Sequence, residues 1–357
     1  MGLVYNNPIY PFSAAFSLMI VGGAFCERVS GVAMVTPRPS PRFNEDGSFK
    51  IVQFTDLHFG EAESTLWGPF QDLGSLHVIG VVLDEEKPDL VAFTGDQITG
   101  NNIMYNQTAY WNMIVDPLVK RKVPWASIFG NHDTMSCCNA QSGDGKNATA
   151  SRRELMDFDT SFPLSHSKPA TNLTHAVSTY YIDVLLPSSD QTGARLWFFD
   201  TGGGSYPEHM FQDQVDWFVS THHALPAAKV ELAFLHIPLP EYVDAREKGT
   251  NCFGMADDGV ATTDNNGNLF EALRSAGVRA TFVGHNHGND WCCEVNGVYL
   301  CFGRHSGHGG YGKWDRGGRT IEIEKFGASV QTHVRMENTS TIHAGILYPA
   351  HTARDNE

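Results

Sequence analysis

Five short apolar runs in this chain stop at Asp, Asn or His, and that recurrence limits the possible folds more than anything else in the sequence. Phe49 to Thr55 leads into Asp56-Leu57-His58, Leu90 to Thr94 into Gly95-Asp96, and Trp125 to Phe129 into Gly130-Asn131-His132-Asp133. Val230 to Leu235 leads into His236, and Ala280 to Val283 into Gly284-His285-Asn286-His287. Apolar runs of this length, bounded by turn residues, read as buried strands. Residues i and i+2 leaving a strand point the same way, so Asp56 and His58 can converge on one ion. Core packing has no need of polar, cation-binding side chains at successive strand exits. Open α/β sheets, by contrast, build their sites at the carboxyl ends of strands. Glycines ahead of Asp96, Asn131 and His285 allow sharp turns and close backbone approach.

Further strand candidates are Thr179 to Leu185, Arg195 to Phe199, Val298 to Phe302 and Thr320 to Ile323. Between them lie helical patterns. Leu73, Leu76, Ile79 and Leu83 share one face ahead of Pro88; Phe211, Val215 and Phe218 come together after an acidic start at Glu208; Leu269 to Ala276 ends at Gly277. The alternation predicts α/β layering, and 357 residues suffice for one large domain. Thr36-Pro37-Arg38-Pro39-Ser40-Pro41 cannot hold a helix or a central strand, so residues 32–46 read as a linker, 47–337 as the folded body and 338–357 as a tail. The polar stretches Cys137 to Ala150 and Glu241 to Asn268 read as functional or disulfide-tied loops.

Residues 1–31 read as a signal peptide. The apolar stretch Phe12 to Phe25 has the length of a signal core and is short for a bilayer span, and Gly22-Gly23-Ala24 offers small residues for cleavage, although no Lys or Arg precedes it. The expectation is a secretory route, extracellular or vacuolar, with no stable membrane span in the mature chain. Sequons begin at Asn106, Asn147, Asn172 and Asn338. Cys137, Cys138, Cys252, Cys292, Cys293 and Cys301 form an even set, open either to full pairing or to burial as free thiols. The net charge of −15 would repel a nucleic-acid backbone, so no nucleic-acid partner is expected.

Taken in order, the five blocks resemble the signature of the calcineurin-like metallophosphoesterases: Asp-x-His, Gly-Asp, Gly-Asn-His-Asp/Glu, a lone His, then Gly-His-x-His. Within that superfamily, residues 234–242 and 284–292 resemble the purple acid phosphatase 28/29-like proteins of plants and their fungal and protist relatives. The resemblance implies a four-layer sandwich, two mixed β-sheets packed face to face and flanked by helices. It also implies two transition-metal ions, Fe, Mn or Zn. Asp56, His58 and His287 would hold the first, Asn131, His236 and His285 the second, and Asp96 would bridge them. Carboxylate, amide and imidazole donors suit such ions.

The reaction implied is hydrolysis of a phosphomonoester, on a small molecule or a protein, by in-line attack of a metal-bridging hydroxide. His132 would assist the leaving group and Asp133 would orient His132. A phosphodiesterase on the same metal core, or a non-catalytic binding protein on this scaffold, are the alternatives. Arg304 is expected to clamp phosphoryl oxygens and His305 to line the pocket. Gly202-Gly203-Gly204 reads equally as a phosphate cradle or as a plain turn. Because the Gly-Asn-His-Asp and Gly-His-x-His blocks would meet, a disulfide between Cys137-Cys138 and Cys292-Cys293 is also expected. True purple enzymes carry a Tyr three residues after the Gly-Asp aspartate, where this chain has Thr99, so a colourless protein is expected.

Overall fold

The computed structural model describes residues 38–103, 106–134, 150–204 and 206–348. The signal-peptide reading, the sequon at Asn147 and the pair Cys137-Cys138 lie outside them.

The elements follow in chain order: β1 (Phe49–Phe54), α1 (Gly68–Glu86), β2 (Leu90–Thr94), α2 (Gln107–Arg121), β3 (Trp125–Ile128), α3 (Arg152–Thr160), β4 (Tyr180–Leu185), β5 (Thr192–Phe198), α4 (Gln212–Ala224), β6 (Val230–Phe234), α5 (Ala245–Lys248), β7 (Thr250–Phe253), α6 (Leu269–Ala276), β8 (Ala280–Val283), β9 (Cys292–Val295), β10 (Val298–Phe302), β11 (Gly317–Glu324), β12 (Ser329–Met336) and β13 (Thr341–Tyr348). They form a six-stranded sheet, β13-β12-β11-β1-β2-β3, and a seven-stranded sheet, β4-β5-β6-β8-β10-β9-β7. Both are mixed. The site-bearing strands β1, β2 and β3 run parallel in the first, as β6 and β8 do in the second.

Strand periodicity makes the layers. Phe49, Ile51, Leu90 and Ala92 face inward and meet Leu196, Phe198, Leu232, Phe234 and Phe282 of the second sheet. Val52, Phe54, Val91 and Phe93 alternate outward, against Val78, Val82 and Trp111 of α1 and α2. On the far side Trp197, Phe199, Ala233 and Leu235 meet Val215, Phe218, Leu269 and Leu273 of α4 and α6. The expected four-layer sandwich is therefore present.

Several expectations are corrected. Leu73 is 58% exposed, because the buried stripe of α1 runs through Ser75, Val78, Ile79, Val82, Leu83 and Glu86. Leu73 lies about 120° round the helix from Ile79. The folded body also extends beyond 47–337 at both ends. Phe43 is buried between the sheets and residues 41–43 hydrogen-bond to Leu185, while β13, placed in the expected tail, pairs antiparallel with β12. The expected inter-loop disulfide is replaced by two others. Cys292 bonds to Cys301 and Cys293 to Cys252. Consecutive residues of a strand face opposite sides, so each cysteine finds a different neighbour.

Glu86, buried in the last turn of α1, ties helix to sheet. Its carboxylate accepts from Arg335 (2.6 Å) and His333 (3.0 Å) on β12 and from Lys50 (3.2 Å) on β1. Burial works to raise its pKa, but His333 and Arg335 hold it at about 2, against 4.5 for a free side chain. A carboxyl so depressed stabilises the fold fully above its unfolded pKa and loses that contribution as pH falls through its folded one. Glu86→Gln should therefore cost about 1–2 kcal/mol near neutrality, allowing for solvent at the rim of the cluster. The deficit should shrink between pH 4.5 and 2, as read by urea denaturation of both proteins across that range.

Candidate metal centre

Two groups of lone-pair donors meet where the parallel strands of both sheets end. Asp56, His58 and His287 form one and Asp96, His236 and His285 the other, with the candidate ligand atoms of each group within 4.8 Å of one another. Asn131 joins the second, its Oδ1 lying 3.1 Å from both His236 Nε2 and His285 Nδ1. Asp96 stands between the groups, since its Oδ2 is 3.1 Å from His236 Nε2 and 3.8 Å from His58 Nε2. Across the first group, His58 Nε2 and His287 Nε2 approach to 3.3 Å and His287 Nε2 lies 3.6 Å from Asp56 Oδ1.

The backbone is bent to achieve this. Asp56, His58, Asp96 and His285 all have positive φ, at 54°, 51°, 54° and 75°, a region costly for side-chain-bearing residues. Backbone hydrogen bonds hold the bends: Asp56 N–H donates to Gly95 O (3.0 Å), His58 N–H to Asp96 O (2.9 Å) and Phe59 N–H to Gln97 O (3.0 Å). Gly95, at φ 98°, has no room for a side chain, because a Cβ there would lie 2.4 Å from the His236 ring.

Asp133 does not orient His132. Its Oδ2 accepts the backbone N–H groups of Asp96 (2.9 Å) and Gly130 (2.7 Å) and its Oδ1 that of Ile98 (3.0 Å), so it braces two ligand-bearing loops. Burial and the nearby Asp96 push its carboxyl up to about 6. His132 anchors instead through its backbone N–H to Asp96 Oδ1 (2.7 Å), and its half-buried ring lies 5.2 Å from that of His58.

The charge states suit a cation. Burial drives His58 to about 3 and, with the neighbouring His236, takes His285 to about 4, so both imidazoles stand neutral. Against burial, His287 and His236 hold Asp56 at about 2, and His236 holds Asp96 well below the carboxylate range. Three outer partners fix the rings: Thr94 O accepts from His236 Nδ1 (2.9 Å), Tyr311 O from His287 Nδ1 (2.9 Å), and Thr99 Oγ1 sits 3.0 Å from His58 Nδ1. With Nδ1 carrying the proton, Nε2 of His236 and of His287 turns a lone pair toward other acceptors. In the metal-free protein a proton resolves this at His236, whose pKa Asp96 lifts to about 9 despite burial. A bound cation would do the same, and the donor set fits Zn, Mn or Fe.

Arg304 does not reach the site. It is buried, with Nη1 2.9 Å from Asp290 Oδ2 and Nε and Nη2 on Asp315 O. Asp290, buried fourteen residues earlier in sequence, needs a paired cation, and Arg304 supplies it. His305 is buried behind His287, ring centroids 3.9 Å apart, rather than lining an open pocket, and burial with His287 keeps it neutral. The Gly202-Gly203-Gly204 loop packs against Asn131, and carbonyls of Gly202, Gly203 and Gly130 accept from Arg152, itself paired with Asp200. Sequence patterning gave no sign of Arg152. Tyr311, stacked on His287, was not singled out either, and its one sequence signal is its position in the glycine-rich loop after β10.

The pattern describing a calcineurin-like phosphoesterase matches residues 49–289. A protein of Arabidopsis thaliana named "Probable inactive purple acid phosphatase 29" is 29% identical over 91% of this chain and 92% of its own length. Another from that plant, "Probable inactive purple acid phosphatase 28", is 30% identical over 81% of this chain and 78% of its own. Phosphatase DCR2 of Saccharomyces cerevisiae is 29% identical over 72% of this chain, which spans 48% of that longer protein. Among solved structures, a dimetal phosphatase from Danio rerio aligns with TM-score 0.56 at 13% identity, covering 85% of this chain and 99% of that one. A purple acid phosphatase from yellow lupin seeds aligns with TM-score 0.56 at 14% identity, covering 87% of this chain and 56% of that one. The structural likenesses speak for the fold, and the sequence match together with the two donor groups speaks for the family: this chain belongs to the calcineurin-like phosphoesterases.

Proposed function

We propose that the chain is a dimetal phosphoesterase that hydrolyses phosphomonoesters, with His132 assisting departure of the leaving oxygen. The observation carrying this reading is the position of Asp96 Oδ2 between two groups of buried donors, 3.1 Å from His236 and 3.8 Å from His58. Both Arabidopsis relatives described above bear the word inactive in their names; this chain carries Asp56, His58, Asp96, Asn131, His236, His285 and His287 together with His132. When bound, a metal pair supplies an acidified water and positive charge against the phosphoryl oxygens.

The chain's own residues then divide the remaining work. Asp56 and Asp96 balance the cationic charge, and the neutral imidazoles of His58 and His285 give lone pairs without a proton to displace. His132 is tied to Asp96 through its backbone, which leaves its ring free to deliver a proton to the departing oxygen. Thr99 hydrogen-bonds His58 where a purple enzyme has its tyrosinate, which supports a colourless centre. Disulfides Cys252–Cys293 and Cys292–Cys301 support passage through an oxidising compartment.

A phosphodiester is the second reading. It is favoured by the engagement of Arg304 with Asp290, which removes an expected cation against a doubly charged monoester. Relative turnover of p-nitrophenyl phosphate and bis-p-nitrophenyl phosphate separates the two.

Chelation should abolish hydrolysis of whichever ester is taken, and Mn, Zn or Fe should restore it. Hydrolysis that survives complete metal removal would overturn the proposal. His132→Ala should lower turnover of alkyl esters about 10²–10⁴-fold and that of p-nitrophenyl esters much less, because a good leaving group needs no proton. Equal losses on both substrates would remove the leaving-group role.

A further inference from the structure

Among the metal-facing imidazoles, His287 is held in a distinctive way. Thr94 and Thr99, the outer partners of His236 and His58, are buried on or just beyond β2, whereas the partner of His287 is Tyr311, 49% exposed on the loop after β10. Tyr311 grips His287 at three points. Its backbone carbonyl accepts from Nδ1 at 2.9 Å, its hydroxyl accepts the His287 backbone N–H at 3.0 Å, and its ring stacks on the imidazole with centroids 4.0 Å apart at 14°. His305 covers the imidazole at 3.9 Å.

The phenol is itself fixed from outside. Its O–H donates to Asp258, and Asp258 belongs to a loop sewn onto the segment that follows His287. Asp258 Oδ2 accepts the N–H of Gly288, Asp257 N–H donates to Gly288 O at 3.0 Å and Met255 N–H to Asp290 Oδ1 at 2.7 Å. The same loop leaves β7, which the Cys252–Cys293 disulfide ties to β9. Asp258 and Tyr311 thus close a clasp over His287 from the solvent side.

We propose that Tyr311, held by Asp258, is a positioning residue that sets the metal affinity of the Asp56–His58–His287 group separately from that of the Asp96–Asn131–His236–His285 group. The inference rests on the dimetal reading and deepens it. A ring locked by stacking, by a carbonyl on Nδ1 and by a hydroxyl on its own backbone loses little freedom when its Nε2 takes an ion. Outer partners of ligating histidines commonly change affinity by about 10–100-fold. Among the described residues, neither Tyr311 nor Asp258 hydrogen-bonds to His236 or His285, so the effect should fall mainly on one ion. The centre would then carry one tightly held and one adjustable metal, the adjustable one in the Asp56–His58–His287 group.

The test is a Mn or Zn titration of the metal-free full chain by equilibrium dialysis, on the wild type, Tyr311→Phe and Tyr311→Leu. The phenylalanine variant keeps the stack and loses the hydroxyl; the leucine variant loses both. The wild type should take two ions. Tyr311→Phe should weaken one of them about 10-fold, Tyr311→Leu should weaken it further, and the other should stay at the wild-type value. Placed in a His58→Ala background, which leaves the second group intact, Tyr311→Leu should leave the remaining ion unchanged. Two ions bound by every variant with wild-type affinities would overturn the inference and leave the dimetal reading standing. Equal weakening of both ions, with a lowered melting temperature of the metal-free protein, would overturn it by showing a general structural role. A wild type that takes fewer than two ions would sink the dimetal reading and this inference with it.

Discussion

The carboxylate of Asp133 holds the centre together without facing it. By accepting the backbone amides of Asp96, Ile98 and Gly130, it locks the exit of β2 to the exit of β3, which carries Asn131 and His132. The exit of β2 in turn hydrogen-bonds the exit of β1 through Asp56, His58 and Phe59. Three strand ends are thereby joined by hydrogen bonds of the Asp133 carboxylate and of the backbone, without the help of a metal. A buried carboxylate whose oxygens are filled by amide donors is a satisfied one, and removing it would leave those donors orphaned.

That frame sustains an otherwise unfavourable concentration of strain and charge. Four ligand residues sit at positive φ, and two carboxylates and four imidazoles share a volume from which water is largely excluded. Such an arrangement is costly in an empty site and is relieved by bound cations, the usual signature of preorganisation at a functional centre. His236 shows the tension most clearly, retaining a proton up to about pH 9 to separate its lone pair from Asp96.

Much of this was legible in the sequence because strand exits carry their chemistry in contiguous blocks. The strand candidates ending at Asp56, Asp96, Asn131, His236 and His285 all correspond to strands of the parallel sheet segments, and α6 ends at Gly277 as its αL cap requires. Roles that depend on long-range partners were not legible. Asp133 follows His132 in the chain, yet adjacent residues at a turn diverge, and two of its three amide partners, Asp96 and Ile98, belong to another strand exit. Arg304 carries no sequence sign of its pairing with Asp290, which is buried beside it. β13 carries Ile342, Ile346, Leu347 and Tyr348, but Gly345 interrupts the run and its partner β12 is recognisable only from the sheet it joins. The vicinal cysteines misled because pairing follows strand faces, not sequence blocks.

The central claim is that Asp96 lies between two metal positions built by the two donor groups. Anomalous diffraction from crystals of the metal-loaded protein tests it most directly. Two peaks are predicted, one in bonding reach of Asp56, His58 and His287, the other of Asn131, His236 and His285, with the Asp96 carboxylate touching both. A single peak in fully loaded crystals, or two peaks with Asp96 bound to only one, would contradict the account.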